Sequence, residues 1–304
     1  MKTVTSKDNP VLKSARRLLT RKGREEGGAF LVEGRKLISE AADAGFEVER
    51  VFVNAGALVR GEAEAGVFTK ETALEERLFG GLAQTVSPQP YIAVMRRPGA
   101  REKSADGATE TVAAAGTAHL AGSGAEGLSG GTDGATETVA AAGPAHLAGS
   151  VAEGPGCVLV LDRVGDPGNA GTMVRTALAA GMDEVWCLKG TADIFSDKAI
   201  RASAGAVFHL PAIEGFSARG CIERARSIKA RIIVCSAGGE DLYETGLCGR
   251  IAVVVGSEAS GAQDELLAAA DAVVGIPMTE KAESLNAAAA AAVVMYEALR
   301  QRQG

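Results

Sequence analysis

Five short apolar runs between residues 157 and 304 limit what this chain can fold into. They lie at 158–161, 185–188, 232–235, 251–255 and 272–274, are apolar at every position, and are mostly rich in β-branched side chains. A half-exposed strand alternates apolar and polar residues, so continuous runs of this length predict strands buried on both faces. Helical windows separate them, near 170–180, 196–204, 216–229, 263–270 and 284–301. Alternating strands and helices predict an α/β fold with a mostly parallel sheet covered on both faces.

A smaller α/β unit precedes this one. The pattern predicts a basic helix near 8–22, a strand at 30–32, and a helix near 35–44 ended by Gly45. A strand at 51–53, a helical stretch near 71–79 and a strand at 91–95 follow, with Pro88 and Pro90 marking a boundary. Single cores stop growing at roughly 250–300 residues, so 304 residues predict two domains, 1–97 and 157–304, each with its own core.

Between them, residues 98–156 hold a tandem repeat. The stretch 106–127 returns at 133–154 with a period of 27 and only Thr117/Pro144 and Gly124/Val151 different. Ala, Gly, Thr and Ser dominate both copies, too little apolar surface to offset the entropy of ordering, so a flexible acidic insert is expected. Residues 104–156 carry six acidic residues and no Lys or Arg, which equals the whole formal charge of −6. Gly127-Leu128-Ser129-Gly130-Gly131 spells the hydrolase G-x-S-x-G inside this insert. Without a strand before it or a helix after it, the match is read as chance.

No apolar run reaches the ~18–20 residues of a membrane span, and Met1-Lys2-Thr3-Val4 opens no signal-peptide core. The five cysteines, Cys157, Cys187, Cys221, Cys235 and Cys248, include no C-x-x-C pair, so neither a metal site nor a disulfide framework is expected and the cytoplasm is the expected location. His119 and His146 fall in the repeats and His209 beside a strand, so histidine acid–base chemistry is not expected. Eight of the first 24 residues are Lys or Arg, which suits either a solvated face or contact with phosphates.

In parallel sheets ligands sit at the carboxyl ends of strands. Three such ends read as sites: 162–175, 256–261, and 275–278 leading to 283–286. Gly165, Gly168 and Gly171 are spaced G-x-x-G-x-x-G, and no G-x-x-x-x-G-K-[ST] is present, which disfavours ATP and dinucleotides. Glycines there would let a ligand approach the backbone closely.

These residues carry a resemblance. Asn169-x-Gly171-x-x-x-Arg175, Gly256-x-Glu258-x-x-Gly261, and Ile276-Pro277-Met278 followed by Ser284-Leu285-Asn286 resemble, in order, the three motifs of the SpoU (TrmH-type) RNA ribose 2′-O-methyltransferases. The stretch 195–205 resembles the segment between the first two motifs, and Phe30-Leu31-Val32-Glu33-Gly34 resembles the family's RNA substrate-binding domain. Ala259 stands where the second motif usually has a glycine, and Ala287-Ala288-Ala289 where the third usually continues Val-Ser-Val.

The resemblance implies a trefoil-knotted C-terminal domain, a homodimer, and S-adenosylmethionine as cofactor. It assigns Gly256, Ile276, Leu285, Ser284 and Asn286 to the cofactor. The implied reaction moves a methyl group to a ribose 2′-hydroxyl of RNA, most readily 23S rRNA, with tRNA and a non-catalytic RNA-binding or ribosome-assembly role as alternatives. A guanidinium with a pKa of roughly 12–14 rarely gives up its proton, so Arg175 is read as a phosphate clamp and oxyanion stabiliser, with Asn169 and Glu258 positioning it or the ribose. Lys13, Arg16, Arg17, Arg21, Arg35 and Arg201 are the expected RNA contacts.

Overall fold

The structure is a computed structural model that describes residues 3–97, 112–113, 156–279, 281–282 and 284–304. The tandem repeat, the G-x-S-x-G match, His119 and His146 lie outside the described residues.

The N-terminal unit runs β1 (Thr3–Val4), α1 (Pro10–Arg17), α2 (Arg21–Gly27), β2 (Ala29–Glu33), α3 (Arg35–Asp43), β3 (Val48–Asn54), α4 (Ala55–Arg60), β4 (Glu71–Leu74), α5 (Glu76–Gly80) and β5 (Tyr91–Arg96). Its sheet order is β1-β4-β3-β5-β2, with β5 antiparallel to both neighbours and β4 parallel to β1 and β3. The single helix expected near 8–22 is two. Asn9 caps α1 by accepting from the N–H of Val11 and Leu12, and Thr20 caps α2 by accepting from Gly23 at 3.1 Å. The turn between them needs Gly23, because a Cβ there would stand 1.8 Å from the Arg17 carbonyl oxygen. The helical stretch expected near 71–79 is half strand. Ala73 and Leu74 are buried beside β3, and tertiary burial overrides the helical preference of Glu71-Thr72-Ala73-Leu74.

The larger unit runs β6 (Val112–Ala113), β7 (Cys157–Leu161), α6 (Pro167–Ala179), β8 (Glu184–Leu188), α7 (Asp197–Ser203), β9 (Ala212–Phe216), α8 (Ala218–Ser227), β10 (Arg231–Asp241), β11 (Ile251–Val255), α9 (Asp264–Ala268), β12 (Ala272–Gly275) and α10 (Ala287–Gln303). The sheet order is β12-β10-β11-β7-β8-β9-β6, and every neighbouring pair is parallel except β9 and β6. All five apolar runs are strands, and β7 and β11 are buried along their whole length. The helix expected from 216 begins only at Ala218, capped by Ser217, because Ala212 and Ile213 extend the sheet beside β8. Strand β10 runs past its apolar part. Its ladder with β12 breaks between Cys235 and Glu240, so residues 236–239 bulge out before pairing resumes at Glu240.

Each unit keeps a core cluster of its own, around Leu12, Phe52 and Phe79 in the first and around Trp186, Phe216 and Ile232 in the second, but the two also share one. One apolar cluster joins Phe30, Ile38 and Phe46 to Leu161, Met173, Phe195 and Phe208. The ring of Phe30 lies 4.9 Å from that of Phe195, and Phe46 meets Phe208 at 5.4 Å and 66°. Burial of each phenyl ring contributes about 1.5–3 kcal/mol, so four at one boundary join the units firmly.

Helix α10 closes the large unit and carries a pH-sensitive brace. Glu297 is buried, and hydrogen bonds donated by Arg300 and Gln301 pull its carboxyl down to about 2 from an ordinary value of 4.5. A folded-state pKa below the unfolded one gives stability that is full above about pH 4.5 and fades as the pH falls toward about 2. Glu297→Gln is therefore expected to narrow the gap in melting temperature between about pH 6 and about pH 3. An unchanged gap would contradict the role given to this carboxylate.

Candidate active site

The carboxyl ends of β10, β11 and β12 open into a cavity of about 570 Å³ closed on its far side by the start of α10. Cys235, Ser236 and Ala237 form one wall, Val255 to Glu258 and Gly261 a second, and Val274, Ile276 and Met278 a third, with Ser284 to Ala287, Ala290 and Val294 completing it. All five residues expected at a cofactor, Gly256, Ile276, Ser284, Leu285 and Asn286, line this space, as does Glu258. Asn169 and Arg175 do not.

The 256–261 loop is held by its own backbone. Ser257 and Gly261 exchange hydrogen bonds of 3.0 and 2.8 Å, and Gly261 has a φ of +66°. A Cβ on Gly256 would lie 2.2 Å from both the Ala262 nitrogen and the Gly261 carbonyl carbon. Gly256 thus serves the folding back of this loop as well as lining the cavity. Gly171 likewise admits α7 against α6, since its Cβ would stand 2.3 Å from the Ala199 carbonyl oxygen. Ala259 is not among the residues with positive φ, so alanine costs no backbone strain at that departure from the family motif. Ala288 is buried in the shared core.

A chain of side-chain hydrogen bonds joins the three motifs. Asn169 Nδ2 donates to Glu258 Oε1, and Asn286 Nδ2 donates to Asn169 Oδ1 at 3.3 Å. Two of its three members are held at a helix start. Asp166 caps α6 by accepting from the N–H of Asn169 at 2.8 Å, and a hydrogen bond from Lys198 holds its carboxyl below the ordinary range. Asn286 caps α10 by accepting from the N–H of Ala288 and Ala289. Arg175 stands apart: it is exposed on α6 and has no hydrogen-bond or ion-pair partner among the described residues.

Two contributions lay outside the sequence expectations, a wall from β10 and the anchoring role of a residue in the 162–175 segment. The wall at 235–237 comes from the bulge in β10, signalled only by Ser236-Ala237-Gly238-Gly239 after an apolar run. The other is Asp162, fully buried, which accepts from the backbone and side-chain nitrogens of Gln263 at 2.7 and 2.6 Å and so anchors the exit of the 256–261 loop. Burial pushes the Cys235 thiol up to about 12, so it lines the cavity uncharged and is no nucleophile near neutral pH. Among the described residues no histidine lines the cavity.

The expected RNA contacts divide. Arg35 and Arg201 line one groove of about 670 Å³ between the units, together with Lys36. Arg35 also lies 3.9 Å from Glu64, and Arg201 pairs with Asp197. On α1, Lys13 pairs with Asp8 at 2.8 Å, Arg16 is half-buried, and Arg17 is exposed with no side-chain partner among the described residues. Arg21 donates to Glu25 and to the Thr191 carbonyl oxygen at 2.7 Å, and Arg24 of the same basic segment is buried. The basic arm is thus partly an internal tie between the units.

Comparison with known proteins follows this division. The SpoU rRNA Methylase family model matches residues 156–296, and the MRM3-like substrate binding domain model matches residues 9–93. The chain is 29% identical to the 23S rRNA (guanosine(2553)-2'-O)-methyltransferase RlmP of Bacillus subtilis, over 97% of this chain and 98% of that protein. A solved RNA 2'-O ribose methyltransferase is 27% identical with a TM-score of 0.66, covering 99% of this chain and 100% of the other. The SpoU methyltransferase AviRb from Streptomyces viridochromogenes, solved with the cofactor AdoMet, superposes with a TM-score of 0.68 over 96% of this chain and 98% of its own; at 24% identity the likeness is one of fold. Further curated relatives match only 47–50% of this chain, which spans 49–65% of their length.

Proposed function

The chain belongs to the SpoU rRNA methylase family, and on that premise we propose that it transfers a methyl group from S-adenosylmethionine to a ribose 2′-hydroxyl of 23S rRNA. One observation carries the cofactor part of this reading. The cavity is lined by apolar side chains, backbone groups and small polar residues, with no Lys or Arg and a single carboxylate, Glu258, among its described residues. That lining suits a ligand that is itself cationic and has an apolar, aromatic body, and it offers nothing to a polyphosphate.

Bound there, the cofactor supplies an electrophilic methyl on a sulfonium. The protein's part is to present the hydroxyl and manage its proton. Asn169 occupies one oxygen of Glu258, which leaves the other free to accept from the ribose hydroxyl. Arg175 stays protonated and acts on the phosphate beside that ribose and on the charge that develops on its oxygen. Glu258→Gln keeps the shape and removes the charge; it is expected to lower transfer about 10- to 100-fold, a larger loss than that in cofactor affinity. Rates equal to those of the unmodified protein would contradict the role of Glu258.

Arg35, Lys36 and Arg201 in the inter-unit groove and Lys13, Arg16 and Arg17 on α1 are proposed to hold the RNA backbone. Three cations in one groove support this for the first set. The domain bounds 1–97, 98–156 and 157–304 are proposed, as is a trefoil-knotted path for the last segment, supported by the packing of α10 against β10, β11 and α6. A homodimer is proposed from the exposed Leu285 and Tyr296, 43% and 49% accessible, at the start of and along α10. A ribosomal RNA substrate supports a cytoplasmic location.

The test is incubation with methyl-labelled cofactor and, separately, unmodified 23S rRNA and tRNA. Label in 23S rRNA is expected. Label in tRNA alone would move the substrate to tRNA, and no label together with no cofactor binding by calorimetry would overturn the reading.

A further inference from the structure

The boundary between the units holds a buried cluster of charges that the chemistry above does not use. Asp193, in the loop before α7, receives Arg24 Nε on one carboxylate oxygen at 2.6 Å and Arg97 Nη2 on the other at 3.0 Å. The side chains of all three are less than 10% accessible. Arg97 reaches on to Glu214 of β9 at 2.5 Å and lies over the Phe195 ring at 4.5 Å. Both arginines come from the N-terminal unit and both carboxylates from the large one, so the cluster is neutral as a whole.

Burying four charges gives little net stability, because loss of hydration roughly cancels their attraction. Arg97 Nε has no hydrogen-bond partner, which adds cost. Adhesion is already provided by Phe30, Phe46, Phe195 and Phe208, whose contacts are non-directional. What charged hydrogen bonds add is direction: two guanidinium groups on opposite oxygens of one carboxylate admit a single angle between the units.

The loop that carries Asp193 also reaches the site. Thr191 Oγ1 donates to the Leu161 carbonyl oxygen at the end of β7 and accepts from the N–H of Arg163, while Asp193 Oδ1 accepts from the N–H of Phe195 just before α7. Helix α7 carries Arg201, which faces Arg35 and Lys36 of the N-terminal unit across the groove.

We infer that Asp193 is a positioning residue for the RNA substrate: held by Arg24 and Arg97, it fixes the angle between the substrate-binding unit and the methyl-transfer cavity. It rests on the reading of the chain as an RNA methyltransferase. Asp193 lines neither the cavity nor the groove. Its loss separates the groove from the cavity by rotation rather than by removing a contact.

The test uses Asp193→Asn, which keeps the shape and removes the charge, and Arg97→Lys, a milder change that keeps the charge and loses the fork. Spin labels on Val59→Cys and on the native exposed Cys248, in protein diluted with unlabelled chains, report the distance between the units. The parent protein should give one narrow distance, and Asp193→Asn a broad distribution. The KM for RNA should rise about tenfold or more, with cofactor affinity and kcat at saturating RNA within about twofold. Arg97→Lys should fall between the two on both readouts, and it alone decides if Asp193→Asn does not fold. A narrow distance in the variants, or a broadened one with an unchanged KM for RNA, would overturn the inference. If the parent transfers no methyl group, the function reading fails while the distance measurement still tests the cluster.

Discussion

Substituting alanine for Arg175 is expected to lower methyl transfer about 100- to 1000-fold while the affinity for S-adenosylmethionine stays within about twofold. The separation of the two effects follows from where this residue sits. It is exposed on α6, outside the lining of the cavity, and no partner among the described residues is lost when it is removed. Stability should therefore change by less than about 0.5 kcal/mol, as for other surface positions. On the proposed reading, what is lost is a permanently charged, planar donor to the RNA phosphate. Arg175→Lys should recover only part of the rate, since an ammonium keeps the charge without the two-pronged geometry. Single-turnover rates at saturating RNA, with calorimetry for the cofactor, make the comparison. A parallel loss of cofactor binding would place Arg175 in the wrong role.

Gly256→Ala is expected to do the reverse and weaken the cofactor about 100-fold or more, because one methyl group unseats the 256–261 loop. The new carbon would stand 2.2 Å from main-chain atoms of Gly261 and Ala262, and backbone cannot yield as a side chain can. Overpacking of this kind costs about 3 kcal/mol, close to the energy of the loop's two internal hydrogen bonds and of its anchor on Asp162 together. The loop must open, and with it go Glu258 and the second wall of the cavity. Calorimetry with S-adenosylmethionine checks this. Binding as tight as in the parent protein would mean that the loop does not shape the site.

The sequence was most informative where burial is complete. Strands such as Ile251–Val255 are apolar throughout because both faces are covered, and that pattern survives without any knowledge of neighbours. It was least informative where neighbours decide. Ala73 and Leu74 became strand because β3 lay beside them, and Ala212 and Ile213 because β8 did. Ser236 and Ala237 entered the cavity wall through a bulge that Gly239 makes possible, its Cβ position lying 2.5 Å from the Val274 carbonyl carbon. The residues that the resemblance assigns to the cofactor were named through their motifs, and they gather in one cavity. The link of Asn169, Glu258 and Asn286 was not legible, since 89 and 117 residues separate Asn169 from its partners. Nor was the buried fate of Arg24, which reads as one more cation in a basic run until Asp193 is brought to it.

The position of the transferred methyl group tests the central claim most directly. Digestion of the labelled 23S rRNA to nucleosides, followed by mass spectrometry, should place the methyl on the ribose 2′-oxygen, and Arg175→Ala should lower that signal about 100-fold or more at a fixed early time. Label on a base, or an RNA that stays unlabelled while the cofactor binds, would contradict it.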